Sequence, residues 1–161
     1  MTALLLPSPL GPLLVRYDHA GLRELRFYPN GRHPPAGTRD QPTLGDELGR
    51  RVQEELAGYF AGERRAFDLP LAPTGTPFQR RVWNCLGTIP FGETRTYGVI
   101  ARELGSERAV RAVGQANGKN PIALVVPCHR VVAAGGPGGY GGGLERKLWL
   151  LRHEAASAKL R

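Results

Sequence analysis

The chain has 161 residues, 41% of them hydrophobic and 22% charged, which is the profile of a soluble globular protein with a core of its own. Two cysteines and four histidines exclude a disulfide scaffold and leave little for a structural metal site. The net charge of +8 is unevenly placed: residues 1–75 hold nine Arg against nine Asp or Glu, and residues 76–161 hold thirteen Lys or Arg against five Glu. A basic half of this kind fits a polyanion, most simply nucleic acid.

The first residues, Met1 to Pro7, are apolar but lack a basic lead, and Pro7, Pro9 and Pro12 interrupt them, so no signal peptide is expected. No apolar run is long enough to span a bilayer. The expected location is the cytoplasm, with reduced thiols. Leu10 to Tyr17 and Leu22 to Phe27 read as a β-hairpin turning at Asp18–Gly21. Residues 29–42, rich in Pro and Gly, read as a loop. A helix is expected from about Thr43, with Leu44, Leu48, Val52, Leu56 and Phe60 as its apolar face. Ala66 to Leu69 suggests a short strand. Pro70, Pro73 and Gly75 then mark a linker, and the shift in charge sets a boundary near residue 72, giving domains 1–72 and 73–161.

The second half opens on a helix start, with Thr76 as N-cap, Pro77 at the first helical position and Gln79 completing a capping box. Tyr97 to Leu104 reads as a short helix stopped by Gly105. Ser106 is expected to cap a second one running to about Gly118. The pair forms a helix-turn-helix pattern. The second helix carries Ala109, Ala112, Gly114 and Ala116 with Arg108 and Arg111 among them, which suits close approach to DNA or to another helix. Ile122 to Val126 reads as a buried strand or extended segment leading to Cys128 and His129. Seven glycines in 135–143 form a loop that lets backbone amides approach a ligand. A final helix is expected from Leu144 to about Glu154, with Leu148, Trp149 and Leu151 as its apolar content.

Cys128 is the chemical candidate. A thiol reacts as its thiolate, and an imidazole backed by a carboxylate can take its proton. His129 is adjacent and Glu154 is the one acid after Glu145, so a Cys–His–Glu relay is available. Cys85, mid-helix with no His or acid beside it in sequence, reads as inert.

Pro127-Cys128-His129-Arg130-Val131 resembles the active-site motif of the O6-alkylguanine-DNA alkyltransferases, the methylated-DNA–protein-cysteine methyltransferases. Thr76-Pro-Phe-Gln79, Ile89-Pro-Phe-Gly92, Thr96-Tyr-Gly98, Arg111-Ala-Val-Gly114, Asn120-Pro121, Tyr140-Gly-Gly-Gly-Leu144 and Trp149-Leu-Leu-Arg-His-Glu154 follow the family's order. The resemblance is strong over about 76–155. Over 1–70 it is weak, resting partly on Ser8-Pro-Leu-Gly11.

The resemblance implies an α+β protein: a small N-terminal α/β, ribonuclease H-like domain, and a C-terminal winged-helix-like helix-turn-helix domain carrying the active site. It implies DNA repair by single, irreversible transfer of an alkyl group from O6-alkylguanine to Cys128, with O4-alkylthymine as a second candidate substrate. No cofactor and no metal are implied. His129, through water, and Glu154 would activate Cys128, with Asn120 ordering the segment. Tyr97 would meet the flipped base. The backbone of Val131 and Gly141 would read its edge, and Tyr140 would line the pocket. Arg111 would fill the gap in the stack, with the protein acting as a monomer in the minor groove of double-stranded DNA. Gly141 stands where some relatives have Ser, and Ala123 where some have Pro, which would widen the pocket. Three competitors fit less well. A non-catalytic lesion sensor would lack Cys128, and a winged-helix regulator leaves Pro127–Arg130 unexplained. A cysteine hydrolase would hold its Cys and His far apart in sequence.

Overall fold

The apolar N-terminal segment is the edge of a sheet. In the computed structural model, which describes residues 1–159, β1 (Thr2–Leu6) pairs antiparallel with β2 (Leu13–Asp18), placing Leu4 opposite Val15. β2 pairs in turn with β3 (Gly21–Phe27), so the order is β1-β2-β3. Leu13, Leu14, Val15 and Tyr17 are all buried, so the central strand is covered on both faces. The expected hairpin forms, but β2 begins at Leu13 because Gly11 and Pro12 belong to the preceding turn. Gly21 has φ +137°, and a Cβ there would strike the Pro70 carbonyl, which accepts from Leu22 N (2.8 Å).

The first helix starts later than its apolar spacing suggests. Gly45 has φ +86°, and Asp46 caps α1 (Glu47–Phe60) by accepting from Gly49 N (3.0 Å). Leu44 is left fully exposed before the cap. An apolar residue at every fourth position drifts by about 40° per step around a helix. The inner face therefore centres on Val52, Leu56 and Tyr59, with Leu48 and Phe60 half-covered. No strand forms over Ala66–Leu69. The buried Glu55 carboxylate takes the Asp68 N–H (2.8 Å) instead, and the chain rejoins the sheet over Pro70–Ala72, beside Leu22.

The chain divides into two compact units, the first ending at Thr74 and the second starting at Gly75. The second opens with α2 (Pro77–Leu86), where Thr76 and Gln79 form the complete capping box. Val82 and Leu86 are fully buried, and Trp83 Nε1 donates to the Ala116 carbonyl (2.9 Å) on a later helix, α4 (Val110–Gly118). Between them, β4 (Arg95–Thr96) leads into α3 (Tyr97–Glu103), capped by Thr96. Gly105 (φ +76°) turns the chain. Ser106 makes no side-chain cap. The second helix enters through a 3-10 turn, Glu107–Ala109, because Ser106 offers its carbonyl to Ala109 N (3.0 Å) rather than its hydroxyl.

Ile122 to Val126 is a buried turn, not a strand. Val126 N returns to the Ile122 carbonyl (3.0 Å), and Leu124 sits at φ +70°. Ile122, Leu124 and Val126 are buried as a strand's residues would be, so apolar content alone could not tell the two apart. The 3-10 turn Cys128–Arg130 follows, then β5 (Val131–Val132), which pairs parallel with β4. α5 (Leu144–Ala158) runs a turn beyond the expected end. Its buried face is Lys147, Leu150, Glu154 and Ser157; Leu148, Trp149 and Leu151 are half-covered. Among the described residues no helix is long and apolar enough to cross a membrane.

Candidate active site

The buried polar face of α5 meets the Cys128–Arg130 turn. His129 is fully buried, and its Nε2 lies 2.6 Å from Glu154 Oε2. Glu154 also accepts from Arg130 Nε (2.8 Å), Arg130 Nη2 (3.1 Å) and Gly92 N (3.2 Å). Arg130 Nη1 reaches the Ile89 carbonyl (2.7 Å), and its guanidinium lies over the Phe91 ring. Arg130 thus has a definite place, as the counter-charge that keeps Glu154 ionised in the interior.

Burial alone would raise the Glu154 carboxyl. The hydrogen bonds it accepts from His129 and Arg130, with the Arg130 charge, outweigh burial and hold it well below the usual carboxylate range. An ionised carboxylate only accepts, so His129 Nε2 carries the proton it donates. Burial also lowers the His129 pKa against the pull of Glu154, leaving a neutral ring. Its Nδ1 then carries a lone pair, buried and without a partner among the described residues.

Cys128 is 6% exposed. Burial pushes its thiol above the ordinary value; the Asn120 side chain, the Lys147 charge and the backbone amides of Cys128 and His129 pull it back. The resting group is therefore a thiol, not the pre-formed thiolate that a neighbouring imidazole and carboxylate lead one to expect. Asn120 braces the turn: its Nδ2 donates to the Val126 carbonyl (2.8 Å) and its Oδ1 accepts from Ile122 N (3.0 Å). Asn117, on α4, approaches the Cys128 carbonyl (3.5 Å).

Lys147 escaped sequence reasoning. It is fully buried, and its Nζ donates to the carbonyls of Val131 (2.6 Å) and Gly139 (2.9 Å). It stands two helical turns before Glu154 on the same face, the one signal that could have revealed it. It joins the Gly-rich loop to β5 and brings a positive charge to Cys128.

Tyr97 is half-buried; burial first, and then the Cys128 charge whenever that residue is a thiolate, raises its hydroxyl against a hydrogen bond to the Gly139 backbone. Gly138 has φ +73°, and a Cβ there would press on the Tyr97 ring and hydroxyl. The Tyr140 hydroxyl is buried, with no hydrogen-bond partner among the described residues. Val131 is buried; its N–H donates to the Cys128 carbonyl, and its own carbonyl accepts from Lys147 Nζ. The structure brings Cys128, His129, Glu154, Asn120, Tyr97, Val131 and Tyr140 together. Gly141 is exposed at the loop, and Arg111 is exposed at the start of α4. Cys85 does have an acid beside it in space: its thiol donates to Glu103 (3.1 Å), and burial and that bond push its pKa up to about 11.

Fold and site together define a helix-turn-helix unit that carries a buried cysteine beside a histidine–carboxylate pair. The model for the 6-O-methylguanine DNA methyltransferase DNA-binding domain matches residues 77–156, and the model for that family's ribonuclease-like domain matches 1–73. The methylated-DNA–protein-cysteine methyltransferase of Mycolicibacterium paratuberculosis is 59% identical over 158 residues, covering 95% of this chain and 94% of the relative. That of Methanosarcina acetivorans is 47% identical over 150 residues, covering 92% and 95%. The crystal structure of Mycobacterium tuberculosis OGT in complex with DNA superposes with a TM-score of 0.86 at 44% identity, covering 98% of this chain and 94% of that one. The chain belongs to the 6-O-methylguanine DNA methyltransferase family.

Proposed function

We propose that the protein repairs DNA by moving one alkyl group from O6 of guanine onto Cys128. The observation that carries this reading is the buried Nδ1 of His129, which has no hydrogen-bond partner among the described residues; it is next in the chain to a buried thiol, with Nε2 held 2.6 Å from an ionised Glu154. Nδ1 takes the Cys128 proton, directly or through one water, and Glu154 stabilises the imidazolium that forms. The thiolate then attacks the alkyl carbon. The S–C bond forms as C–O6 breaks, and the electron pair leaves on guanine, which is protonated by the imidazolium or the Tyr97 hydroxyl. Nothing in the site can hydrolyse the resulting thioether, so each molecule acts once.

The lesion must leave the stack to reach a buried thiol, and a damaged pair opens at lower cost. The bound DNA is double-stranded, and α4 lies in its minor groove with Arg111 filling the vacated place. The protein acts as a monomer, and O4-alkylthymine is a second substrate. Incubation with O6-methylguanine duplex should add one methyl group to the protein mass, mapped to the peptide carrying Cys128. Tight binding with no gain in mass overturns the reading.

Two expectations attach to DNA binding. Arg111→Ala should retain DNA affinity but lose repair of duplex. Transfer from free O6-benzylguanine, which needs no flipping, should persist. An equal fall in both would make Arg111 a support of the fold instead. Affinity for duplex should also weaken with salt, with a log–log slope of about −2 to −5, since only part of the basic half can reach one duplex. Titrations at several ionic strengths measure it, and a flat response counts against the DNA reading.

A further inference from the structure

The peptide that joins Cys128 to His129 decides how the acceptor and its base face each other. Sγ hangs from the residue on one side of it and the imidazole from the residue on the other, so turning its plane changes the separation of Sγ and Nδ1. The carbonyl of that peptide accepts from Val131 N at the end of the 3-10 turn. A second donor comes from outside the turn: Asn117 Nδ2, in the last turn of α4, stands 3.5 Å away. Asn117 is 5% exposed. A carbonyl only accepts, so the amide turns its NH2 to Cys128 and leaves Oδ1 buried, with no partner among the described residues. A dry, unpaired acceptor costs the fold stability that an apolar side chain of like shape would not. The residue is also held on both sides. Trp83 anchors the Ala116 carbonyl, and the Asn117 carbonyl accepts from Asn120 N (3.3 Å), whose side chain braces the segment before Cys128.

We propose that Asn117 is a positioning residue for the transfer: its amide fixes the plane of the Cys128–His129 peptide and so holds the thiol in line with its base. The inference rests on the alkyl-transfer reading above. The resting group is a thiol, so its proton must leave before sulfur attacks. In that step the S–H bond breaks, the electron pair stays on Sγ and the proton passes to His129 Nδ1, directly or through one water. Asn117 forms and breaks no covalent bond; it acts through the Cys128 carbonyl. Proton transfer to a positioned base depends on alignment, and a small misplacement lowers the rate steeply. A contact of 3.5 Å is the outer limit of a hydrogen bond, as contacts at reacting groups often are before substrate arrives.

The test is single-turnover transfer from free O6-benzylguanine, which involves neither base flipping nor the DNA groove, followed by intact protein mass from neutral pH to about pH 10. Asn117→Leu removes the donor and keeps an apolar side chain of like shape. It should transfer at least about tenfold more slowly than wild type at neutral pH. The gap should narrow to within about threefold near the alkaline end, where solvent base ionises the thiol unaided. Lys147 of α5, Tyr97 of α3 and Tyr140 of the Gly-rich loop also bear on the thiol. All three are unaltered in the variant, so the difference between the two profiles reads Asn117. Denaturant unfolding should find Asn117→Leu at least as stable as wild type, since the unpaired oxygen is gone and the Cys128 carbonyl keeps Val131 N. An unchanged rate at neutral pH overturns the proposal, and so does a deficit of equal size at every pH. A loss of stability in Asn117→Leu overturns it too, by making Asn117 a brace of the fold. If wild-type Cys128 takes no benzyl group at all, the alkyl-transfer reading fails, and this inference with it.

Discussion

Cys128→Ala should bind duplex DNA as the parent does and take up no alkyl group. The change removes one buried sulfur, which supplies the bond-forming atom and none of the positive charge that meets phosphate. Binding measured by titration should therefore change little, while transfer measured by protein mass should vanish. Cys85 cannot substitute: its thiol is committed to Glu103, and its pKa of about 11 leaves almost no thiolate at neutral pH. The wild type should stop at about one equivalent of alkyl group per protein, because the thioether has no route back. Turnover beyond one equivalent, or alkylation of Cys85 in Cys128→Ala, would falsify the assignment of Cys128.

Glu154→Gln should damage both stability and rate, for separable reasons. The Arg130 side chain is 7% exposed and loses the carboxylate that balances it. Removing one partner of a buried ion pair costs about 3–5 kcal/mol, visible in denaturant unfolding. Replacing both partners, as in Glu154→Gln with Arg130→Gln, should cost less than the sum of the two single changes by about 1–3 kcal/mol. On the rate, a neutral amide no longer supports charge on His129, so transfer by the folded protein should slow at least about tenfold, and higher pH should restore part of it.

The pH dependence of stability has one sign for both groups. The folded His129 pKa lies below its ordinary 6.5, so the unfolded chain takes up that proton first and stability falls as pH drops below 6.5. The folded Glu154 pKa is likewise depressed from 4.5. Its contribution is present above that value and is lost as pH falls towards the depressed one. Acid unfolding of the wild type should therefore steepen below 4.5, and Glu154→Gln should flatten that part of the curve.

What the sequence disclosed and what it hid divide along the range of the interactions. The start of α2 was legible because Thr76, Pro77 and Gln79 settle it among themselves. That Cys128, His129 and Glu154 could meet was legible because the first two are neighbours in the chain and few acids follow. Apolar spacing misplaced the start of α1, where Gly45 and Asp46 decide. It read the turn at Leu124 as a strand or extended segment, because burial looks the same in all of them. Lys147 stayed hidden because a lysine on a helix normally reads as solvated, and only its two carbonyl partners, distant in the chain, draw it inside. The raised thiol of Cys128 was equally out of reach, since burial belongs to the fold and not to the motif.

The hydrogen bond from Trp83 to the Ala116 carbonyl gives the protein an intrinsic optical gauge. The chain has two tryptophans, and the indole nitrogen of this one rests on the helix proposed to enter the DNA groove. Any displacement of α4 stretches that bond and changes the polarity felt by the excited indole. Emission wavelength can therefore follow the helix during DNA engagement and after alkyl uptake, with no label attached.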